Sequence, residues 1–129
     1  MPKAVVLTSY GPPDVLVWRE VPMPVPGPGQ VRIRVKAAGV SPTDPKIRRG
    51  DLEEVFPLAP NTVLGFEVAG VVDAVGPSVS SVGEGDEVAS LLLGLGGYAE
   101  YAIASSGRPS PRTSAGAMLP HYPRQRRPR

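Results

Sequence analysis

The sequence of 129 residues contains 14 Lys and Arg, 12 Asp and Glu, and no cysteine. Without cysteine there can be no disulfide, thiolate metal site or thiol nucleophile, so we expect the chain in the reducing cytoplasm. Its 41% of hydrophobic residues can fill the core of one domain, whereas no apolar run approaches the ~20 residues of a membrane span and no signal pattern is recognisable, so we expect a soluble, unexported protein.

Two short strands are predicted in the first part of the chain. The apolar residues Val5 and Leu7 belong to the first, and residues 15–21 form the second. The string at residues 22–29 is rich in Pro and Gly and cannot donate regular ladder hydrogen bonds, so it is predicted to be a loop.

The clearest strand pattern lies at residues 30–36. Val31, Ile33 and Val35 alternate with three basic residues. Since successive side chains of a strand point to opposite faces, this pattern predicts a strand with one buried and one basic face.

A short helix or turn is predicted at residues 42–49, closed by Gly50, with Pro45 near its first turn, where the missing N–H is harmless. The long apolar stretch at residues 63–75 is interrupted by Gly65 and Gly70. These glycines predict a strand that bends sharply or allows another backbone to approach closely.

The remaining strand patterns, at residues 87–93 and 98–104, bring the total to five or six. The predicted fold is mainly β, a small, partly open barrel with one or two short helices. The glycine-rich run at residues 94–97 leads into a strand pattern without a following helix. It is therefore predicted to be a flexible turn, and no Rossmann domain is expected in this chain.

The chain changes character after Ala104. Residues 1–104 contain 8 Lys and Arg and all 12 acids, a net charge of −4, whereas residues 105–129 contain six Arg and no acid, a net charge of +6. This composition predicts a domain at residues 1–104 and a disordered Pro/Arg-rich segment at residues 105–129. We interpret that segment as an out-of-frame or truncated end; the alternatives are a solvated basic tail and a nucleic-acid-binding one, which we do not favour.

Three glycine-punctuated elements, at residues 37–44, 65–70 and 85–88, resemble the N-terminal domain of the medium-chain dehydrogenase/reductase superfamily. The resemblance covers roughly residues 3–104 and implies a GroES-like barrel.

Two positions in these elements distinguish branches of that superfamily. Its zinc alcohol dehydrogenases carry Cys and His where this chain has Ser41 and Phe66. A catalytic zinc needs about three protein ligands, and phenylalanine cannot be one, so no metal is expected. The resemblance thereby narrows to the zinc-free quinone-oxidoreductase or zeta-crystallin-like branch, which implies reduction of quinones or activated enones with NADPH.

The resemblance also implies roles for individual residues. Ser41 could hydrogen-bond the substrate carbonyl or the nicotinamide amide, or simply cap the short helix. Thr43 matches a hydroxyl that donates to the oxygen gaining charge, with a structural turn as the alternative. Lys46 and Phe66 are expected to contact substrate, although Lys46 could instead be a solvated charge.

The other singled-out residues are expected to be structural. Asp44 is interpreted as an N-cap or as an ion-pair partner of Lys46, Arg48 or Arg49. Glu67 lies in an apolar stretch and is predicted to form a buried ion pair. A further set of residues is expected to form tight turns or to allow two backbones to approach closely: Gly65, Gly70, Gly83, Gly85 and Asp86.

The resemblance implies that most NADPH contacts come from a cofactor domain outside this chain. We therefore expect the chain alone to be an inactive, truncated part of an enzyme that does not bind NADPH measurably, beyond possible contacts at Ser41 and Thr43. Relatives of this kind are usually homodimers, and no membrane partner is expected. The alternative is a stand-alone, non-catalytic scaffold or partner-binding module.

Overall fold

The computed structural model describes residues 1–92 and 94–105. These residues form seven strands, one α-helix and one short 3-10 helix, Pro13–Val15. In chain order the elements are β1 Lys3–Leu7, β2 Leu16–Glu20, β3 Gln30–Gly39, α1 Thr43–Arg49, β4 Thr62–Val63, β5 Glu67–Val75, β6 Glu87–Leu91 and β7 Tyr101–Ser105. The predicted mainly β class is confirmed, with seven strands rather than five or six.

The strands form two open antiparallel sheets. The three-stranded sheet has the order β2-β1-β4, and the four-stranded sheet has the order β6-β5-β3-β7. An isolated bridge between Ala4 and Ala99 joins β1 to the segment before β7. This bridge fixes the two sheets against each other.

The alternation predicted for β3 is confirmed. Val31 and Ile33 are 1% and 0% exposed, whereas Arg34 and Lys36 are exposed. The Val31 and Ile33 side chains pack with Val68 and Val72 of β5 in a core on one face of the four-stranded sheet. Burial of this apolar face is the main reason why β3 lies in the middle of its sheet.

A second apolar cluster lies beneath the helix. Ile47 of α1 is 1% exposed and packs with Leu7, Leu64 and Leu95. The helix ends at Arg49 because Gly50 adopts a left-handed conformation with φ of 87°. These contacts fix α1 against the end of β1, the segment before β5 and the turn after β6.

The apolar stretch predicted as one strand is divided between the two sheets. β4 pairs with β1, whereas β5 pairs with β3 and β6. The break lies at Gly65, whose φ is 108° and whose missing Cβ would be 2.9 Å from Gly97 Cα. The Gly97 N–H donates to the Gly65 carbonyl at 3.2 Å, so the close approach of two backbones explains the break.

Residues 94–97 form a turn as predicted, but the turn packs against the second apolar cluster and is not the flexible turn that was expected. Leu95 has a φ of 67° and is 7% exposed in the second cluster. The chain then passes to the bridge at Ala99 and to β7, and no helix follows among residues 98–105. The described residues therefore contain no strand–turn–helix unit at this run.

The predicted disordered segment lies outside the described residues, except for Ser105, which ends β7. The proposed domain boundary after Ala104 accordingly stays a prediction. Within the described part of the chain, no helix has the length and apolar character needed to cross a membrane.

Candidate functional site

One end of the four-stranded sheet gathers the residues singled out from the sequence. Gly39 at the end of β3 pairs with Glu67 at the start of β5, and Glu67 pairs with Leu91 at the end of β6. Ser41 and Thr43 follow Gly39 directly, since the chain leaves β3 there and enters α1. Antiparallel pairing therefore places the β3 exit, the β5 entry and the β6 exit side by side.

Ser41 and Thr43 lie in a turn that is closed by hydrogen bonds. The Thr43 N–H donates to Ser41 Oγ at 3.1 Å, and the Ser41 N–H donates to Asp44 Oδ2 at 3.0 Å. The Asp44 N–H donates to the Ser41 carbonyl at 3.0 Å. These bonds satisfy N–H groups that a helix start leaves without partners, and they fix both hydroxyl-bearing residues, which are half-buried.

The buried carboxylate of Asp44 stabilises this turn through hydrogen bonds. Asp44 is 5% exposed, and its Oδ2 also accepts a hydrogen bond from the Tyr98 O–H. Its other oxygen, Oδ1, is buried and has no hydrogen-bond partner among the described residues. Asp44 forms no ion pair with Lys46, Arg48 or Arg49. The N-cap of α1 is Pro42, so Asp44 is not the N-cap; it lies in the first turn and accepts from the N–H three residues earlier.

Tyr98 completes this network and was not singled out from the sequence. Burial raises the pKa of its phenol above the ordinary value of 10.0, and the hydrogen bond to Asp44 raises the pKa further. The Tyr98 N–H also donates to the Leu64 carbonyl at 2.9 Å. The residue thus ties the turn before α1 to the segment before β5.

Replacing Tyr98 by Phe is expected to make stability less sensitive to alkaline pH. Above pH 10 the unfolded chain loses the phenol proton while the folded chain keeps it, so stability falls as pH rises, by up to about 1.4 kcal/mol per pH unit from this group. Urea unfolding of both proteins from pH 9 to 11 measures the two slopes. Tyr101→Phe should keep the steep slope, and equal slopes for Tyr98→Phe and the unmodified chain would contradict this assignment.

Phe66 and Lys46 differ in their surroundings. The half-buried Phe66 ring meets Phe56 edge-on, with 6.1 Å between centroids, and packs against the second apolar cluster. Its carbonyl accepts a hydrogen bond from the Leu92 N–H. Lys46 is exposed on α1, and no hydrogen bond or ion pair of its ammonium occurs within residues 1–92 and 94–105. Phe66 therefore lies at the sheet end, whereas Lys46 projects into solvent.

The burial predicted for Glu67 is wrong. Its side chain is exposed, and it forms no ion pair with any described residue. The strand positions that face the core are Val68 and Val72, each at most 1% exposed, so Glu67 falls on the opposite face. Its carboxylate lies beside Gly39, which offers no side chain to cover it.

The other singled-out residues lie away from this site or beneath it. Gly70 is buried where β5 passes the β3 backbone at Arg34. Gly85 and Asp86 form an exposed turn before β6, in which Asp86 Oδ2 accepts from the Gly83 N–H at 2.9 Å. Gly85 has a φ of 90°, which glycine adopts without strain.

The donor set at the sheet end does not fit a catalytic zinc. Ser41 offers only a hydroxyl and Phe66 offers no donor, and a zinc site requires about three N, S or O ligands. No three His, Cys, Asp or Glu side chains within the described part of the chain lie close enough to hold a metal ion. The arrangement instead provides a hydrogen-bonded turn with two half-buried hydroxyl-bearing residues at the sheet end where Phe66 also lies.

Comparison with known proteins identifies a domain family and several relatives for most of this chain. Residues 27–111 match the alcohol dehydrogenase GroES-like domain. The chain is 44% identical over 103 residues to a quinone oxidoreductase of Sus scrofa, covering 79% of this chain and 31% of that protein. It is 42% identical over 100 residues to a 2-haloacrylate reductase of Burkholderia sp, covering 78% of this chain and 30% of that one.

The same likeness holds in three dimensions. The structure of the quinone oxidoreductase from Coxiella burnetii superimposes with a TM-score of 0.71 at 32% sequence identity, covering 81% of this chain and 34% of that one. The chain thus spans about a third of the length of the relatives that it matches.

Proposed function

Because the chain belongs to the alcohol dehydrogenase GroES-like domain family, in the zeta-crystallin-like branch of the medium-chain dehydrogenase/reductase superfamily, we propose that it forms the substrate-side wall of an NADPH-dependent oxidoreductase. The proposed substrates are quinones or activated enones, and the proposed reaction uses no zinc. The relatives named above include a quinone oxidoreductase and a 2-haloacrylate reductase, and both names describe reduction of an electron-poor unsaturated substrate.

The observation that carries this proposal is the ordered turn at the sheet end. The turn carries Ser41 and Thr43, both half-buried, at the end of the sheet where Phe66 directly precedes β5. A site of this kind suits a flat, electron-poor substrate. The Phe66 ring could pack on one face of the substrate while a hydroxyl of Ser41 or Thr43 reaches its carbonyl oxygen. The same site supplies no metal ligands, which supports the zinc-independent part of the proposal.

The chemistry that these residues can supply is stabilisation of developing charge. NADPH, when bound, would supply a hydride, and the carbonyl oxygen of the acceptor would gain negative charge. The Thr43 hydroxyl would donate a hydrogen bond to that oxygen. Ser41 Oγ already accepts from the Thr43 N–H at 3.1 Å, which leaves its O–H free to donate to the substrate or to the nicotinamide amide. Fixed donors at such an oxygen lower the barrier because they need no reorganisation.

The described residues account for only one end of a bound dinucleotide. Pyrophosphate recognition needs a glycine-rich turn that opens onto a helix, whereas the glycine-rich run at residues 94–97 leads to the Ala99 bridge and β7. We therefore assign the phosphate and adenosine contacts to residues outside those described, and only nicotinamide contacts to Ser41 and Thr43.

This proposal is tested in a chimera that supplies a complete cofactor site. Residues 1–105 of this chain replace the matched N-terminal region of the Sus scrofa quinone oxidoreductase, with which the chain shares 44% identity over 103 residues. NADPH oxidation is then followed with a quinone as acceptor, in the presence and absence of a zinc chelator.

Within that chimera, Thr43→Val is expected to lower kcat about tenfold while KM changes less than about threefold. The reason is that the lost donor acts on charge that develops only in the transition state. Steady-state rates at saturating NADPH measure both constants. Glu84→Gln, at an exposed position in the turn before β6, serves as the control, and an unchanged kcat for Thr43→Val would remove Thr43 from the mechanism.

A further inference from the structure

The two parts of the candidate site come from separate segments of the chain. Ser41 and Thr43 follow β3, whereas Phe66 lies between β4 and β5. For the hydroxyl groups and the ring to act on one substrate, the turn and the segment before β5 have to be held at a fixed separation. Tyr98 is hydrogen-bonded to both segments. Its contacts therefore help to determine how the turn and the ring are placed relative to each other.

The main chain of Tyr98 is fixed to two other elements. Its N–H donates at 2.9 Å to the carbonyl of Leu64, two residues before Phe66, and its carbonyl accepts from the Val5 N–H of β1 at 2.7 Å. The half-buried ring packs against the second apolar cluster. These contacts fix the phenol oxygen relative to β1 and to the segment that carries Phe66.

The phenol acts on the turn through Asp44. The Tyr98 O–H and the Ser41 N–H both donate to Oδ2 of this carboxylate, while Oδ1 is buried without a hydrogen-bond partner among the described residues. Two donors on one oxygen define the orientation of the carboxylate. Without the phenol O–H, the carboxylate would be free to rotate, since its two oxygens are equivalent acceptors for the Ser41 N–H.

Movement of Asp44 would reach Thr43 through Ser41. The Ser41 main chain is bonded to Asp44 at both of its polar groups, since its carbonyl accepts from the Asp44 N–H at 3.0 Å. Ser41 Oγ in turn accepts from the Thr43 N–H at 3.1 Å. A change in the orientation of the carboxylate therefore shifts the residue whose hydroxyl is proposed to donate to the substrate oxygen. Such a shift weakens the donor, because a hydrogen bond weakens steeply away from good geometry.

We propose that Tyr98 is a positioning residue of the reductase: its hydroxyl, through Asp44, holds the Thr43 hydroxyl and the Phe66 ring at the separation that the substrate requires. This role rests on the proposed function, since it needs a substrate that both groups contact. Tyr98→Phe removes a single oxygen atom and leaves both main-chain hydrogen bonds of the residue in place. Its effect therefore isolates the contribution of the phenol to the placement of the turn.

Amide hydrogen exchange of the full chain tests whether the phenol holds the turn. In Tyr98→Phe, the Ser41 amide is expected to exchange about tenfold faster than in the unmodified chain. The Val5 amide should keep its protection, since its acceptor is the main-chain carbonyl of residue 98. Tyr101→Phe is the matched control and should leave both amides unchanged, because it removes the same hydroxyl from β7, where the ring lies over Arg32. Unchanged exchange at Ser41 in Tyr98→Phe would overturn the proposal whatever the enzyme activity.

Steady-state kinetics in the chimera test the catalytic consequence. Tyr98→Phe is expected to lower kcat about fivefold while KM changes less than about twofold, and Tyr101→Phe should change neither. In a Thr43→Val background, Tyr98→Phe should lower kcat less than about twofold, because the donor that it positions is already absent.

The double variant separates positioning from a general structural role. A residue that only stabilised the fold would lower kcat equally with and without Thr43→Val, and that result would overturn the proposal. So would an active chimera whose kcat Tyr98→Phe does not change. A chimera that reduces no quinone before any substitution would instead contradict the proposed function, while exchange at the Ser41 amide would still decide whether Tyr98 holds the turn.

Discussion

Replacing Gly70 by Ala is expected to lower the free energy of unfolding by about 3 kcal/mol or more, or to prevent folding. A Cβ at this position would overlap the Arg34 carbonyl oxygen and would also lie 2.9 Å from Ile33 Cγ2. The overlap involves main-chain atoms of β3, so no side-chain rotation relieves it. β3 and β5 would have to separate at the middle of the sheet that carries the candidate site.

Gly83→Ala is the control for this experiment, because no heavy atom lies within 4 Å of the position that its Cβ would occupy. Its effect should stay within about 0.5 kcal/mol. Urea unfolding followed by circular dichroism compares the two variants with the unmodified chain. Equal stabilities of the two variants would show that β3 and β5 do not approach as described.

Replacing Asp44 by Ala is expected to cost about 3 kcal/mol of stability. Asp44 Oδ2 accepts from both the Ser41 N–H and the Tyr98 O–H, and the residue is 5% exposed. The change leaves two donors without an acceptor in a site that water reaches poorly, and each such donor costs about 1–3 kcal/mol. The turn that carries Ser41 and Thr43 should loosen as a result.

Asp86→Ala provides a matched comparison, since Asp86 also accepts from the N–H three residues earlier, at Gly83, but in an exposed turn. There water replaces the lost acceptor, so the expected cost is below about 1 kcal/mol. Chemical denaturation gives both values, and amide hydrogen exchange at Ser41 reports the turn itself. The account of the turn would be wrong if Asp44→Ala cost no more than Asp86→Ala and left the Ser41 amide protected.

The main parts of the fold follow from local patterns. Alternation at residues 30–36 predicts β3 and its buried face, because successive side chains of a strand point to opposite faces and every second one meets the core. The α-helix is anticipated from Pro45 and Gly50, whose backbone preferences mark its first turn and its end. Both signals depend on neighbours in the sequence and need no knowledge of distant contacts.

The candidate site depends on distant contacts, and sequence patterns foresee it only in part. Ser41, Thr43 and Phe66 are singled out through a family resemblance. Tyr98 was overlooked because its partner Asp44 lies 54 residues away. A tyrosine after two glycines in an apolar segment was the available signal, since a buried phenol needs a hydrogen-bond partner.

The division of the apolar stretch also depends on such contacts. The chain leaves one sheet and enters the other at Gly65 because the backbone at Gly97 passes close by. Glu67, placed just after that break, starts β5 on the exposed face. Hydropathy alone does not show where such a break falls.

The chimera with the Sus scrofa quinone oxidoreductase tests the proposed function most directly. We expect it to bind NADPH and to reduce a quinone with a kcat within about a hundredfold of the intact relative, with no loss of rate when a zinc chelator is added. Circular dichroism and an NADPH fluorescence titration first establish that the chimera is folded and binds cofactor. A folded, NADPH-binding chimera that reduces quinone no faster than the uncatalysed background would contradict the claim that this chain forms the substrate-side wall.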